Sequence, residues 1–159
     1  MPTANEIILA LNLEPLDGEG GYFRQTWILS STSGAPQATA IVYLVTPESF
    51  SSLHRLDADE VFHFYLGDAC EQIVIGTDDE METRILGSDV IAGQHIQTIV
   101  PKGTWQGTKL MPGGKWALLG TTMTPGFHTA GFELATRDDL KSLSIETATI
   151  ATEYLADGA

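Results

Sequence analysis

Cationic side chains are scarce in this sequence. Its 159 residues hold 8 Lys and Arg against 21 Asp and Glu, a formal charge of −13. Nucleic acids and anionic membranes both require a basic face, so the imbalance argues against them as partners and favours neutral, cationic or apolar ligands. Cysteine is scarcer still. Cys70 stands alone, which rules out an internal disulfide and a zinc site built only from cysteines. Long hydrophobic runs are missing too. The longest apolar stretch near the start, Ile7 to Leu11, falls far short of a membrane span. No Lys or Arg precedes Arg24, and no small-residue cleavage site follows a hydrophobic stretch. A secretory signal is therefore not expected, and the reducing cytoplasm is the expected compartment.

What is present suits a globular fold. Apolar types make up 43% of the chain and charged types 18%, ordinary for a packed protein and too apolar for disorder. A chain of this length can bury about 68–70% of its unfolded surface, enough to fold without a metal or a disulfide. One domain is expected.

Thr3-Ala4-Asn5-Glu6 has capping-box spacing, and Ile7, Ile8 and Leu11 follow on one helical face, which predicts a short helix over 4–12. Glu14-Pro15 and the glycines at 18, 20 and 21 cannot continue it. From Tyr22 to Met123 the pattern is that of strands, rich in Val, Ile, Thr and aromatics and cut by turn clusters. Nine are predicted: 22–31, 37–46, 50–55, 60–66, 69–75, 81–86, 96–100, 104–110 and 115–123. Ser33-Gly34-Ala35-Pro36 is the turn after the first. Strands without intervening helices cannot form a parallel sheet, so an antiparallel sandwich or barrel is expected. Thr136-Arg137-Asp138-Asp139 opens a second helical stretch with Leu140 and Leu143 as its apolar face. The division is then a helix and loop over 1–20, a barrel over 21–135 and a helical tail over 136–159.

Two segments carry a family likeness. The stretch from His54 to Gly67 resembles the first cupin motif, His-x-His, a Glu and a Gly, with Leu56 where the second His belongs. Pro101-Lys102-Gly103-Thr104-Trp105-Gln106 resembles the second motif, with Gln106 in place of its His. The match is closer one level down. Glu19-Gly20-Gly21-Tyr22-Phe23-Arg24, Ser51-Ser52-Leu53-His54-Arg55, Asp59-Glu60-Val61-Phe62-His63-Phe64, Pro101 to Gln106 and Pro125-Gly126-Phe127 occur in this order. The set resembles an uncharacterised cupin-like family of unknown function over roughly residues 7 to 140. Where that family usually has His-Pro before Glu-Gly-Gly, this chain has Asp17-Gly18. The resemblance implies an all-β double-stranded β-helix, a small jelly roll, usually paired as a homodimer, with no implied reaction.

Strand alternation puts His54 and Leu56 on one face, with Glu60, Phe62 and Phe64 following if Glu60 re-enters the sheet there. The resemblance turns that face into the barrel, brings Gln106 in from a neighbouring strand, and points His63 and Tyr65 outward. Three chemistries compete for the site. The first is a divalent metal on His54, Glu60 and Gln106, with His95 or His128 as possible additions. A typical mononuclear site holds two His and a carboxylate, and here a hydrocarbon and a neutral amide replace two ligands. No cofactor is therefore expected, and the three groups satisfy one another as a buried polar cluster instead. The second is acid–base work with His54 as base, Glu60 as its orienting partner and Tyr43 or Tyr22 as acid, as in metal-free cupin epimerases acting on nucleotide sugars. Arg24 and Lys109 are placed near the barrel mouth. The third is binding without turnover in a pocket walled by Tyr43, Phe62, Phe64, Trp105 and Trp116. The expected function is a small-molecule pocket, either a metal-independent isomerase or epimerase on a carbohydrate-like substrate or a non-catalytic binder, with a metal-dependent oxygenase behind both.

The remaining features read as structural. Glu19-Gly20-Gly21 is a loop into the first strand, not a phosphate cradle. Asp78-Asp79-Glu80 is a solvated hairpin tip, and Arg55 pairs with Asp57 or Asp59. Cys70 packs without an activating cation. Pro125-Gly126-Phe127 turns the chain out of the last barrel strand, with Phe127 plugging one end.

Overall fold

The computed structural model describes residues 2–32 and 34–158. Ser33, in the turn expected after the first long strand, lies outside the described residues, as does Ala159. The chain opens with α1 (Ala4–Leu11), capped as the sequence predicts. The Thr3 hydroxyl accepts from the Glu6 amide, and the Glu6 carboxylate accepts from the Thr3 amide. Asn12, at φ 51°, closes the helix in the left-handed region.

Eleven strands follow among the described residues: β1 (Glu14–Pro15), β2 (Tyr22–Leu29), β3 (Ala38–Val45), β4 (Ser51–Leu56), β5 (Glu60–Gly67), β6 (Cys70–Ile75), β7 (Met81–Leu86), β8 (Gln97–Val100), β9 (Trp105–Leu110), β10 (Ala117–Met123) and β11 (Phe132–Leu134). Nine of them are the predicted strands, with ends within two residues of the expected ones. The two-residue β1 and three-residue β11 are additions, each held only by a neighbour that lies elsewhere in the chain, β2 and β4 respectively. All paired strands are antiparallel. They form two sheets, ordered β1-β2-β3-β10-β5-β8 and β11-β4-β9-β6-β7, facing one another as a jelly roll.

The period of two along each strand sorts side chains into three apolar layers. Between the sheets, Tyr43, Val45, Phe62, Val100 and Leu119 of the first meet Cys70, Val74, Leu86 and Leu110 of the second. On the outside of the first sheet, Leu44, Trp116 and Leu118 pack under α1 through Ile7, Ile8 and Leu11, and the Trp116 indole donates to the Pro2 carbonyl at 2.8 Å. On the outside of the second, Leu53, Ile73, Ile75 and Trp105 are covered by the tail through Leu140, Ala151, Tyr154 and Leu155.

The tail is ordered. Residues 136–139 lead into a 3₁₀ turn (Asp139–Ser142), not an α-helix, and α2 (Ile145–Thr152) follows behind its Ser144 cap. Tyr154 lies over Gly107, where a Cβ would fall 2.7 Å from the ring. Its carbonyl accepts from the Leu53 amide at 2.7 Å, and its hydroxyl donates to Glu71 at 2.5 Å. The acidic hairpin tip is less solvated than the sequence suggests, because Asp79 accepts from the Ser144 amide at 2.8 Å.

Candidate functional site

A cavity of about 290 Å³ opens between the two sheets. Its floor is buried: Tyr43 from β3, His54 and Leu56 from β4, Glu60 and Phe62 from β5, and Thr121 from β10. Its rim is exposed and comes from loops and from β2, through Asp17, Gln25, Phe127 and Thr129. The wall between is mostly hydrocarbon, from Leu16, Phe23, Ile41, Met123 and Phe132. Among the described residues no Lys or Arg lines it.

His54 Nδ1 lies 2.7 Å from the Ser52 carbonyl oxygen. A carbonyl only accepts, so Nδ1 carries a proton, and in the neutral form of the ring the lone pair lies on Nε2. Nε2 has no protein hydrogen bond among the described residues. The Phe132 ring stacks on the imidazole at 5.2 Å, so packing and hydrogen bonding fix its orientation together. Glu19 Oε1 stands 3.9 Å from the same Nδ1. It accepts from the Ser51 hydroxyl at 2.7 Å, and the Glu19 carbonyl accepts from the Ser52 amide at 2.9 Å.

Glu60 faces the same space. Burial pushes its carboxyl above the ordinary value; the His54 ring opposes that shift, the Glu19 carboxylate adds to it, and Thr121 and Gln106 pull the value back as hydrogen-bond partners. Gln106 Nε2 donates to Glu60 Oε2 at 2.8 Å, while Gln106 Oε1 is buried without a partner among the described residues. The Tyr43 hydroxyl donates to the Gly20 carbonyl at 2.7 Å, and burial, then the Glu19 charge, push the phenol well above its usual range. Gly21 has its own steric reason to be glycine. It sits at φ +74°, and a Cβ there would lie 2.5 Å from the Tyr43 ring.

The structure thus gathers His54, Glu60, Tyr43 and Phe62 around one cavity, with Gln106 directly behind Glu60. It places other expected residues elsewhere. Tyr22 and Arg24 pair with Leu44 and Val42, which lie on the α1 side of the sheet; Tyr22 packs there and Arg24 is exposed. Trp116 belongs to the α1 layer. Phe64 points between the sheets but packs into the core beyond the cavity wall. Trp105 lies under the tail. Lys109 pairs with Glu153 at 2.7 Å and caps the Tyr154 ring, away from the mouth. Arg55 pairs with Glu133, not with Asp57 or Asp59, and covers the Trp105 ring. Cys70 is buried between the sheets, its thiol pushed up to about 12 by burial, which suits packing and not nucleophilic attack.

Glu19 is the cavity-lining carboxylate that residue-by-residue reading places in a mere loop. Its one signal was membership in the first of the five ordered motifs. Phe132, on an unexpected strand, carried none. Phe127 stands at the cavity rim, 41% exposed, as a partial plug.

The donor set does not assemble a typical metal centre. His54 offers one free nitrogen, Glu60 a carboxylate already bonded to Gln106, and Leu56 nothing. His128 is engaged with Asp57 at 2.9 Å, and neither it nor His95 lines the cavity. Among the described residues no group of three or more His, Cys, Asp and Glu is placed to hold a metal ion.

Two facing antiparallel sheets with a polar cluster on the inner side of β4, β5 and β9 define a cupin barrel. Within that class the chain belongs to the family described as Cupin superfamily (DUF985), which matches residues 5–135. A solved protein from Shewanella oneidensis is 28% identical with a TM-score of 0.90, covering 98% of this chain and 99% of that one. An uncharacterized protein of Saccharomyces cerevisiae is 25% identical over 148 residues, 79% of this chain and 72% of that protein. Oxalate decarboxylase of Bacillus subtilis, described with Mn(II) centres, shares the fold at 16% identity and a TM-score of 0.57, over 92% of this chain and 36% of its own. No helix among the described residues is long and apolar enough to cross a membrane.

Proposed function

We propose that this protein holds a small organic molecule inside its barrel, with His54, Glu60 and Glu19 as the polar focus of the site. One observation carries the reading: buried polar groups converge on the floor of an otherwise apolar cavity of about 290 Å³, which is how small-ligand sites are built. The cavity's want of a cation argues against a nucleotide-sugar substrate, whose diphosphate needs several. Native mass spectrometry of untagged protein tests the proposal. A retained small molecule supports it. An empty chain that also fails to bind any member of a fragment library by ligand-detected NMR, while Leu56→Phe leaves those spectra unchanged, overturns it.

A second reading is metal-independent proton transfer of the isomerase or epimerase kind. It is favoured by the Nδ1–Ser52 bond, which leaves the Nε2 of this cavity-lining ring without a protein partner among the described residues. A carboxyl raised by burial is a suitable acid partner, so Glu60 takes that role better than Tyr43, whose hydroxyl is committed to Gly20. A carbohydrate-like substrate lacking a phosphate remains compatible with the floor. The oxygenase reading has least support, since it needs a redox metal and the donors present are too few. In this scheme the chain acts as a homodimer, the pairing that would cover the exposed Trp27, Leu29, Tyr65 and Ile99 on the first sheet. Sedimentation at micromolar concentration tests it: a monomer there removes the dimer.

A further inference from the structure

We infer that the ligand of this cavity is an organic cation, an amine or ammonium group carried on a compact apolar body. The inference rests on the small-molecule reading above and adds the charge of the ligand to it.

Three carboxylates step down into the cavity. Asp17 stands at the exposed rim, Glu19 in the half-buried wall and Glu60 on the buried floor. Among the described residues no Lys or Arg lines the cavity to neutralise them. Acidic residues alone would be unremarkable on a chain of charge −13, but this set is joined by an independent observation. His54, 2% exposed, lines the cavity, and with Nδ1 given to the Ser52 carbonyl its Nε2 has no protein partner among the described residues and is an acceptor in the neutral ring. The floor is therefore rich in acceptors and its donors are committed, the Tyr43 hydroxyl to Gly20 and the Thr121 and Gln106 side chains to Glu60. An ammonium group is the complement of such a floor, with up to three donors and no acceptor. A carboxylate or phosphate ligand would meet like charge and unfilled acceptors. A neutral alcohol would satisfy one acceptor and leave the charges uncompensated. Burial of Glu60 beside Glu19 holds its carboxyl above the ordinary range, and a cation docked between them removes that cost. The rings of Phe23, Phe62, Phe127 and Phe132 supply the apolar wall and electron-rich faces that favour a cation's carbon shell.

The test is a matched series of probes on the untagged full chain at pH 7. Cyclohexyl, benzyl and n-butyl bodies are each offered as the amine, the alcohol and the carboxylate, with affinities read by calorimetry and ligand-detected NMR. We expect at least one amine to bind about tenfold or more tighter than its alcohol, with its carboxylate silent. Glu19→Gln should erase most of that preference, since Gln can still accept from Ser51, and Asp17→Asn at the exposed rim gives a milder version should Glu19→Gln fail to fold. Glu153→Gln, on the tail, should leave it intact, which separates the site from general attraction to an acidic surface. Alcohols binding as well as their amines would overturn the cation while keeping the pocket. Tighter carboxylates would do the same. Silence from the whole series, together with failure of the fragment library, would remove both.

Discussion

Gln106 gives its amide hydrogen to Glu60 across 2.8 Å, and the same side chain keeps its carbonyl oxygen buried without a partner among the described residues. Where the superfamily motif has a metal-binding histidine, this chain has an amide that serves a carboxylate. The substitution changes the problem the barrel must solve. A metal would neutralise Glu60; an amide only hydrogen-bonds it, so the carboxyl stays raised and the pair stays one acceptor in surplus.

That arrangement makes stability depend on pH in a defined direction. A carboxyl raised by burial binds its proton more tightly folded than unfolded. Its contribution to stability is complete below its ordinary value of 4.5 and is lost as pH rises through the folded value. Glu60→Gln cannot suffer that loss. Urea unfolding of both proteins from pH 4 to 8 should show the variant gaining on the parent as pH rises. A pH-independent difference would contradict the assignment.

Tyr43 separates the structural from the catalytic reading. Tyr43→Phe loses one buried hydrogen bond to Gly20 and should cost about 1 kcal/mol. Ligand affinity should survive. If turnover is found and this variant abolishes it, the proton donor is Tyr43 after all, and Glu60 is not.

Gly21 should be far more sensitive to substitution than Gly18. Alanine there meets both a positive φ and the Tyr43 ring at 2.5 Å, so Gly21→Ala should cost about 2 kcal/mol or more. Gly18 has a positive φ of its own but open space around it, so Gly18→Ala should cost only about 1 kcal/mol. Equal melting temperatures for the two variants would contradict the packing of Tyr43 against the loop.

The tail is predicted to be part of the fold. Tyr154→Ala removes a fully buried ring that covers Gly107, and should cost about 3–5 kcal/mol in urea unfolding. A loss below 1 kcal/mol would mean that the second sheet stands without its cover.

Most of the barrel was legible because its strands alternate and its turns are marked by glycine, proline and acidic clusters. What escaped was set by distant partners. Phe132–Leu134 is three residues long and exists only against β4, so no local pattern announces it. Glu19 looks like a loop acid until Ser51 and Ser52 pin it beside His54. The inner face of β4 and β5 was readable, since His54, Leu56, Glu60 and Phe62 share a parity. The inner face of β2 was not. Its residues are exposed or half-buried on both sides, so hydrophobicity does not say which parity points inward, and Tyr22 and Arg24 were assigned to the wrong one. Trp116 failed differently: it sits just before β10, with its indole fixed by Pro2.

That indole bond spans 114 residues of sequence. Closing so long a loop is entropically expensive, and a helix of eight residues is too short to persist alone in water. Residues 4–11 therefore acquire their shape only once the strands beneath them are assembled. In order of time the chain folds against its order of synthesis: the segment made before the barrel is the one that must wait for it, and Trp116 fluorescence is the clock that records when it arrives.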